Sequence, residues 1–450
     1  MVCAGLCLMI SCRKDFLEAK PSTGLLGLRT IKDFQQLLSN TEVFNLTGSL
    51  PLAASDEYEM PDNVAWQSLL QLTSKNSYIW KKDLYGGQIN IADWNTPYTA
   101  VFYANAVLEA LVTSPDQGSD EWKRTKGWAL FARAFAFYDL AQNFCITYDT
   151  GTAATEKGIP LRLKAGIDEL LPRPTLKQTY DQLLSDLAQA RTLLPNQVSQ
   201  ANRNEPSRAG VFALLSRIYV GRREYNKAEV YADSCLSLYG TLMDYNTISQ
   251  TENSPFSFSN PEIIYYSTQT NDLAEVTYSP DGTYTIAKDI LDLFQENDLR
   301  FPIFFSTTDG KNTVLKRGYS QKELVFTGLA TDEIYLIKAE CLARRNELNA
   351  TLAYLNKLLI NRYATDKLPL LTATSSSQAL ALVLKERKKE LVRRGLRWSD
   401  LKRLNKDGAG ITLSRNLNGQ VYLLPPNDPR YVFPIPDDEI SYSGVEQNIR

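Results

Sequence analysis

The sequence contains no histidine. The commonest general base and the commonest metal ligand are both missing, which excludes serine–histidine and cysteine–histidine catalysis and any histidine-ligated metal site. Cysteine is scarce, six in 450 residues. Cys3, Cys7 and Cys12 crowd the amino terminus, whereas Cys145, Cys235 and Cys341 stand far apart in apolar surroundings without a CxxC pair. A zinc site is thereby excluded, no other metal or cofactor is implied, and buried free thiols are expected at the latter three positions. No apolar run reaches the ~20 residues of a membrane-spanning helix. The nucleotide and hydrolase motifs GxxxxGK, GxGxxG and GxSxG are absent, and no SxxK stands in a context that would supply a lysine base. A formal net charge of −2 gives no basic footprint for nucleic acid and no pull toward anionic lipid.

What is present is an ordinary globular composition, 44% hydrophobic and 22% charged, able to bury a sizeable core. Tyrosine and tryptophan are plentiful, 24 and 6; such rings suit sugar or peptide faces, although most of them pack. Residues 1–11 are apolar and small and end at Cys12, which reads as an export signal. Met9-Ile10-Ser11-Cys12 resembles a lipobox, so Cys12 is the expected lipidation site; each methylene of its acyl chains buried in the bilayer contributes ~0.8 kcal/mol. No Lys or Arg precedes Cys12, which leads to the expectation of a start further upstream. The alternative reading of this segment is a buried terminal strand or helix.

Apolar stripes near the 3.6-residue period predict helices over 31–40, 96–112, 125–143, 176–194, 207–220, 226–239, 333–345, 348–362 and 377–394, punctuated by Pro195, Pro206 and Gly240. Phe212, Leu215, Ser216, Tyr219, Ala228, Ala232 and Cys235 fall at tetratricopeptide spacing. The pair 333–345 with 348–362 is similar, through Tyr335, Ala339, Leu342, Ala350 and Leu355, and 125–143 with 176–194 forms a third pair split by an insertion. The expected fold is therefore mainly α, a tetratricopeptide-like helix-pair scaffold. Segments 145–175, 240–330 and 404–450 are rich in Gly, Pro, Ser, Thr, Asn and Asp and read as long irregular loops with a few short β-hairpins, one of them turning at Asn418-Gly419.

The last fifth carries the most specific pattern. Glu386-Arg387-Lys388-Lys389-Glu390-Leu391, then Gly395-Leu396-Arg397-Trp398-Ser399-Asp400-Leu401-Lys402-Arg403, and finally Tyr431-Val432-Phe433-Pro434-Ile435-Pro436 with Glu439-Ile440 and Gln447-Asn448, resemble the signature of the SusD/RagB family of outer-membrane nutrient-binding lipoproteins. Cys12–Glu18, the Trp94/Tyr98/Asn105 helix, Arg133–Leu140, Tyr180–Leu187, Asp298 with Arg300, and Tyr335–Glu340 match its earlier motifs in order. Three departures stand out: Arg394 replaces an acidic residue, Ala330-Thr331-Asp332 stands where an Arg begins a helix, and Asn143–Ile146 replaces an FGD turn.

The resemblance implies a signal segment at 1–11 and one SusD-like domain at 12–450. Its parts are 12–240 (helical), 241–330 (a loop-rich ligand-face segment) and 331–450 (helical, with the signature tail). It implies a non-catalytic protein, held at the outer membrane through its lipid anchor and probing the cell exterior. Such a protein binds oligosaccharide and delivers it to a TonB-dependent, SusC-like transporter, with the helical repeats as the contact surface. Peptide is the alternative ligand; a carbohydrate hydrolase or a purely structural adaptor are alternatives of other classes. The matching ligand loops offer Trp66, Tyr78, Trp80 and Tyr85, then Tyr265, Tyr266, Tyr278 and Tyr284, with Trp80–Gly87 the preferred segment; Trp94 and Tyr98 read as scaffold. Glu386, Arg387, Glu390, Arg397 and Asp400 read as a helix surface knitted by i,i+4 pairs, with Trp398 packed beneath.

Overall fold

Five of the nine periodic segments have chemically marked starts as well as an apolar face. Thr30 and Asp33, and Thr175 and Gln178, form reciprocal capping boxes, and Ser119, Ser207 and Ser375 cap three further starts by accepting a backbone N–H. The computed structural model describes residues 29–166, 169–278, 281–308 and 310–450, so the 1–11 segment and Cys12 lie outside the described residues. The helices run at Ile31–Leu38, Ala92–Val112, Asp120–Phe144, Leu176–Leu193, Arg208–Gly221, Tyr225–Leu238, Thr331–Arg344, Leu348–Leu359 and Ser376–Glu390. Arg397–Lys406 is also a helix, which the periodicity missed. No helix among the described residues is long and apolar enough to cross a membrane.

Antiparallel neighbours stack as the spacing implied. Ala228, Ala232 and Cys235 are fully buried on Tyr225–Leu238, and such small side chains let its backbone approach the flanking helices closely. Phe212 and Tyr219 lie on either side of Tyr231 in a stacked ladder, with ring centroids 6.1 and 5.4 Å apart. Cys145, Cys235 and Cys341 are buried free thiols. One apolar core extends from Ile31 to Val445.

The loop-rich middle segment is stitched into this scaffold by short ladders. Leu46–Thr47 pairs in parallel with Thr268–Gln269, Tyr58–Glu59 pairs antiparallel with Thr285–Ile286, and Ile263–Tyr265 pairs antiparallel with Leu329–Ala330. Leu413–Leu417 and Gln420–Leu424 form the expected hairpin, with Asn418 and Gly419 both at positive φ, 52° and 82°.

The departures from the family pattern have structural answers. Ser376–Glu390 ends four residues before the predicted 394. Arg393 sits at φ 57°, its N–H donates to Glu57 (2.9 Å) and its guanidinium to the Leu52 and Val276 carbonyls (3.0 and 2.6 Å), so tertiary bonds hold it out of the helix. In place of an FGD turn, the carbonyls at the end of Asp120–Phe144 are satisfied from outside: Lys402 Nζ donates to Gln142 and Cys145 (2.6 and 2.9 Å) and Asn448 to Phe144 (2.9 Å). The other two departures are one exchange, because Arg394 and Asp332 face each other as a buried ion pair at 2.9 Å. A base where the family signature has an acid thus faces an acid near the place where it has a base.

A buried pair broken on one side costs about 3–5 kcal/mol. Arg394→Glu, which sets two acids together, is expected to lose that much in urea unfolding, and Asp332→Arg combined with it to recover more than half. A double variant no more stable than the single one would refute the exchange.

Candidate ligand-binding face

Five of the eight aromatic residues that the ligand loops offer are core residues. Tyr78, Trp80 and Tyr85 are 2% exposed and Tyr284 0%, so their rings offer nothing to a ligand. The physical reason lies in distant partners. Trp80 donates its indole N–H to Ala54 (2.9 Å), Tyr85 its hydroxyl to Pro434 (2.7 Å), Tyr284 to Thr277 (3.0 Å), and the Tyr78 hydroxyl accepts from the Met60 N–H (2.9 Å). Tyr58, Tyr78 and Tyr284 meet edge-on or tilted at 5.2–5.6 Å. Arg415 lies over Tyr78 at 4.3 Å and Arg393 over Tyr58 and Tyr284 at 4.9 and 5.3 Å. The sequence-predicted rings are thus brought together, but around arginine guanidinium groups, which take the faces that a sugar would need. Gly86 and Gly87 do turn the preferred segment, at φ 56° and 86°. Tyr265 is also buried, against Phe131 and Phe135.

Trp66, Tyr266 and Tyr278 stay half-buried. Trp66 donates its indole N–H to Lys75 (3.1 Å), on a short helix capped by Asp62. Beside it the chain exposes aliphatic side chains: Val64 (73%), Leu70 (90%) and Ile89 (63%). The two ligand loops named from the sequence meet here. Glu275, on the middle segment, accepts the backbone N–H of Leu70 (2.8 Å) and Gln71 (2.9 Å), 205 and 204 residues away. Asp272 likewise accepts the N–H of Ala92 (3.2 Å). Sequence reasoning missed Glu275, since one acid in a polar loop carries no local sign of a partner so remote.

The Glu386–Asp400 charges are scaffold, but they do not lie on a surface. Glu386, Arg387, Glu390 and Asp400 are all less than 9% exposed. Arg300 is held by Asp298 (2.7 Å), Glu386 (2.7 Å) and Glu390 (3.0 Å), and Arg362 by Glu262 (2.8 Å) and Glu390 (2.7 Å). Asp400 is clasped by Arg387 and Arg403, each at 2.7 Å; burial pushes its carboxyl up, but the two guanidinium groups win and hold it at about 2. Arg397 pairs with Asp56 at 2.7 Å, outside any i,i+4 relation. Trp398 packs as expected, stacked on Phe433 at 5.5 Å. Glu262, Asp332 and Glu390 are the one acidic trio among the described residues close enough to share a cation, and Arg362 and Arg394 already neutralise it. A carboxylate held as Asp400 is, well below the usual range by two guanidinium groups, makes a poor general acid.

Two carboxyls behave oppositely. Asp93 accepts from the Leu50 N–H (2.8 Å) and Asp139 from the Gly48 N–H (2.9 Å), on either side of one loop and with no cation paired to either. Burial, and for Asp93 the neighbouring Asp139, pushes both up to about 7. Asp139 borders a cavity of about 60 Å³, room for a few waters.

A helix-pair scaffold that joins two remote loops into one polar and aliphatic face defines a binding protein. A family profile described as starch-binding associating with outer membrane matches residues 15–220, and that of the SusD family matches residues 307–449. The chain belongs to the SusD/RagB family. A SusD superfamily protein from Bacteroides thetaiotaomicron is similar with a TM-score of 0.73 at 20% identity, over 94% of this chain and 100% of that one. A SusD-like carbohydrate binding protein from Bacteroides vulgatus is similar at 0.70 and 20%, over 93% and 97%. A SusD superfamily protein from Bacteroides fragilis reaches 0.70 and 22%, over 92% and 98%. At these identities the likeness establishes the fold alone. No curated protein matches the chain.

A carboxyl whose folded pKa lies above its unfolded value of about 3.9 binds its proton more tightly in the native state, so it lowers stability as pH rises from about 4 to about 7. Asp93 and Asp139 fall in this class. Asp400, held at about 2, contributes stability above the ordinary carboxylate range and loses it only as pH falls toward 2. The urea midpoint is therefore expected to drop between pH 5 and pH 8, and to drop less in Asp93→Asn; equal drops would exclude Asp93 as a source.

Proposed function

We propose that the protein captures oligosaccharide at the face where segments 60–91 and 266–286 meet, and passes it to a TonB-dependent, SusC-like transporter without chemical turnover. It stays at the outer membrane through acylated Cys12, after removal of residues 1–11, with the stacked helix pairs turned to the transporter. The observation that carries this reading is the Glu275 clamp, which makes one surface of two loops about two hundred residues apart. The family description as starch-binding and outer-membrane-associated supports it, as does the description of a fold relative as carbohydrate binding. The continuous core supports reading residues 12–450 as one domain, with 241–330 as its ligand-face segment.

On this face Trp66 and Tyr278 remain as contacts from the aromatic set, flanked by Val64, Leu70 and Ile89. Exposed aliphatic side chains with few open rings also favour a second ligand class, apolar peptide, for which ring stacking is dispensable.

Titration calorimetry of the full chain with maltoheptaose, a glycan panel and a peptide library distinguishes these ligands. Trp66→Ala is expected to weaken capture about tenfold or more, the scale of one lost aromatic contact. Unchanged binding would move the site elsewhere, and new reducing ends that disappear on substitution of one carboxylate would establish a hydrolase. Cys12→Ala is expected to leave a folded protein absent from the membrane fraction; membrane retention of that variant would exclude the anchor.

A further inference from the structure

The Ala92–Val112 helix carries a second stripe that its core packing covers only in part, Tyr103 alone of its members lying against the apolar core. Asn95, Thr99, Phe102 and Tyr103 recur at i, i+4, i+7 and i+8, one face of a helix. Asn95 and Thr99 are exposed, Phe102 and Tyr103 half-buried, and the two rings meet edge-on at 5.2 Å. The facing wall is the irregular segment leading from Pro160 to Gly166. Between them lies a cleft of about 330 Å³, within the ~300–1,000 Å³ typical of small-molecule sites.

The wall is fixed from behind. Tyr98 donates its hydroxyl to Pro160 (2.9 Å), and Asn105 donates its amide to the Arg162 and Lys164 carbonyls (2.9 and 3.1 Å). Asn105 is itself oriented by Arg133 (2.8 Å), which Asp186 holds through two bonds of 2.7 and 2.8 Å. A chain of buried polar contacts thus fixes the backbone that carries Arg162 and Lys164 along the cleft, which Glu439 also lines. Arg162 lies over Tyr98 at 5.1 Å and reaches Glu439 at 3.3 Å, yet its Nε–H is buried without a partner. Lys164 is exposed, and among the described residues no ion pair engages its ammonium group.

We infer that this cleft is a second binding site, distinct from the loop face, and that it takes a sugar bearing a carboxylate, a uronate residue of an acidic oligosaccharide. The half-open Phe102 and Tyr103 rings meet the C–H face of a pyranose, Asn95 and Thr99 meet its hydroxyl groups, and Lys164, beside the Arg162 guanidinium, meets its carboxylate. A neutral sugar leaves Lys164 without an anion. The inference stands on the cleft's own geometry and does not require the loop face to bind glycan.

Calorimetric titration of the full chain with trigalacturonate and with its neutral galactose counterpart tests it. Trigalacturonate is expected to bind more tightly than the neutral trisaccharide and to weaken as salt rises. Lys164→Gln, on an exposed side chain, is expected to weaken trigalacturonate about tenfold, as loss of a charge-assisted hydrogen bond does, and to leave the neutral sugar unchanged. Phe102→Ala, checked for an unaltered thermal transition, is expected to weaken both. The inference is overturned by absence of trigalacturonate binding, by equal affinity for the two sugars, or by indifference of trigalacturonate binding to Lys164→Gln or to Phe102→Ala.

Discussion

Arg300 and Arg362 have no solvent exposure at all, and between them they gather Asp298, Glu386, Glu390 and Glu262 from three separate stretches of chain. A guanidinium in such a place is tolerable only if every neighbouring carboxylate is present, because removal of one leaves an uncompensated buried charge worth several kcal/mol. The network therefore acts as a register lock. It fixes the loop-rich middle segment against Ser376–Glu390, and through that helix against Arg387, Asp400, Arg403 and Glu340. Apolar packing alone would let irregular loops settle in many ways; bidentate arginine geometry allows few.

Carboxylates also hold the proposed ligand face in place, although it is built on loops. Glu275 and Asp272 engage backbone N–H groups, so the face depends on main-chain geometry more than on any particular side chain at the surface. Side chains such as Val64, Leu70 and Ile89 are left free to differ without disturbing the frame beneath.

The helices were legible because their signal is local. Period, cap and turn residues lie within a few positions of one another, and the Asn418-Gly419 hairpin needed only its own dipeptide. The burial of Tyr78, Trp80, Tyr85 and Tyr284 was not legible, because their polar flanks suggested exposure while their partners, Ala54, Pro434, Arg393 and Arg415, come from elsewhere. For the same reason the Glu386–Asp400 charges read as a solvated helix: nothing in ERKKEL indicates that Arg300 arrives beside it. The Arg394–Asp332 exchange was visible only as two separate oddities until the fold set them together. Trp66 and Tyr278 were named from sequence and remain partly open, whereas Glu275 and the Phe102–Lys164 cleft carried no sign short enough to read.

The carboxyl-terminal tail has a consequence for how the molecule comes into being. Phe433 supports Trp398, the Pro434 carbonyl receives Tyr85, Glu439 receives Trp94, and Asn448 closes the end of Asp120–Phe144. Three of these contacts complete the amino-terminal half from residues 434–448. A growing chain makes them only after that segment has emerged, so the Tyr85 hydroxyl, the Trp94 indole and the Phe144 carbonyl stay without these partners until then.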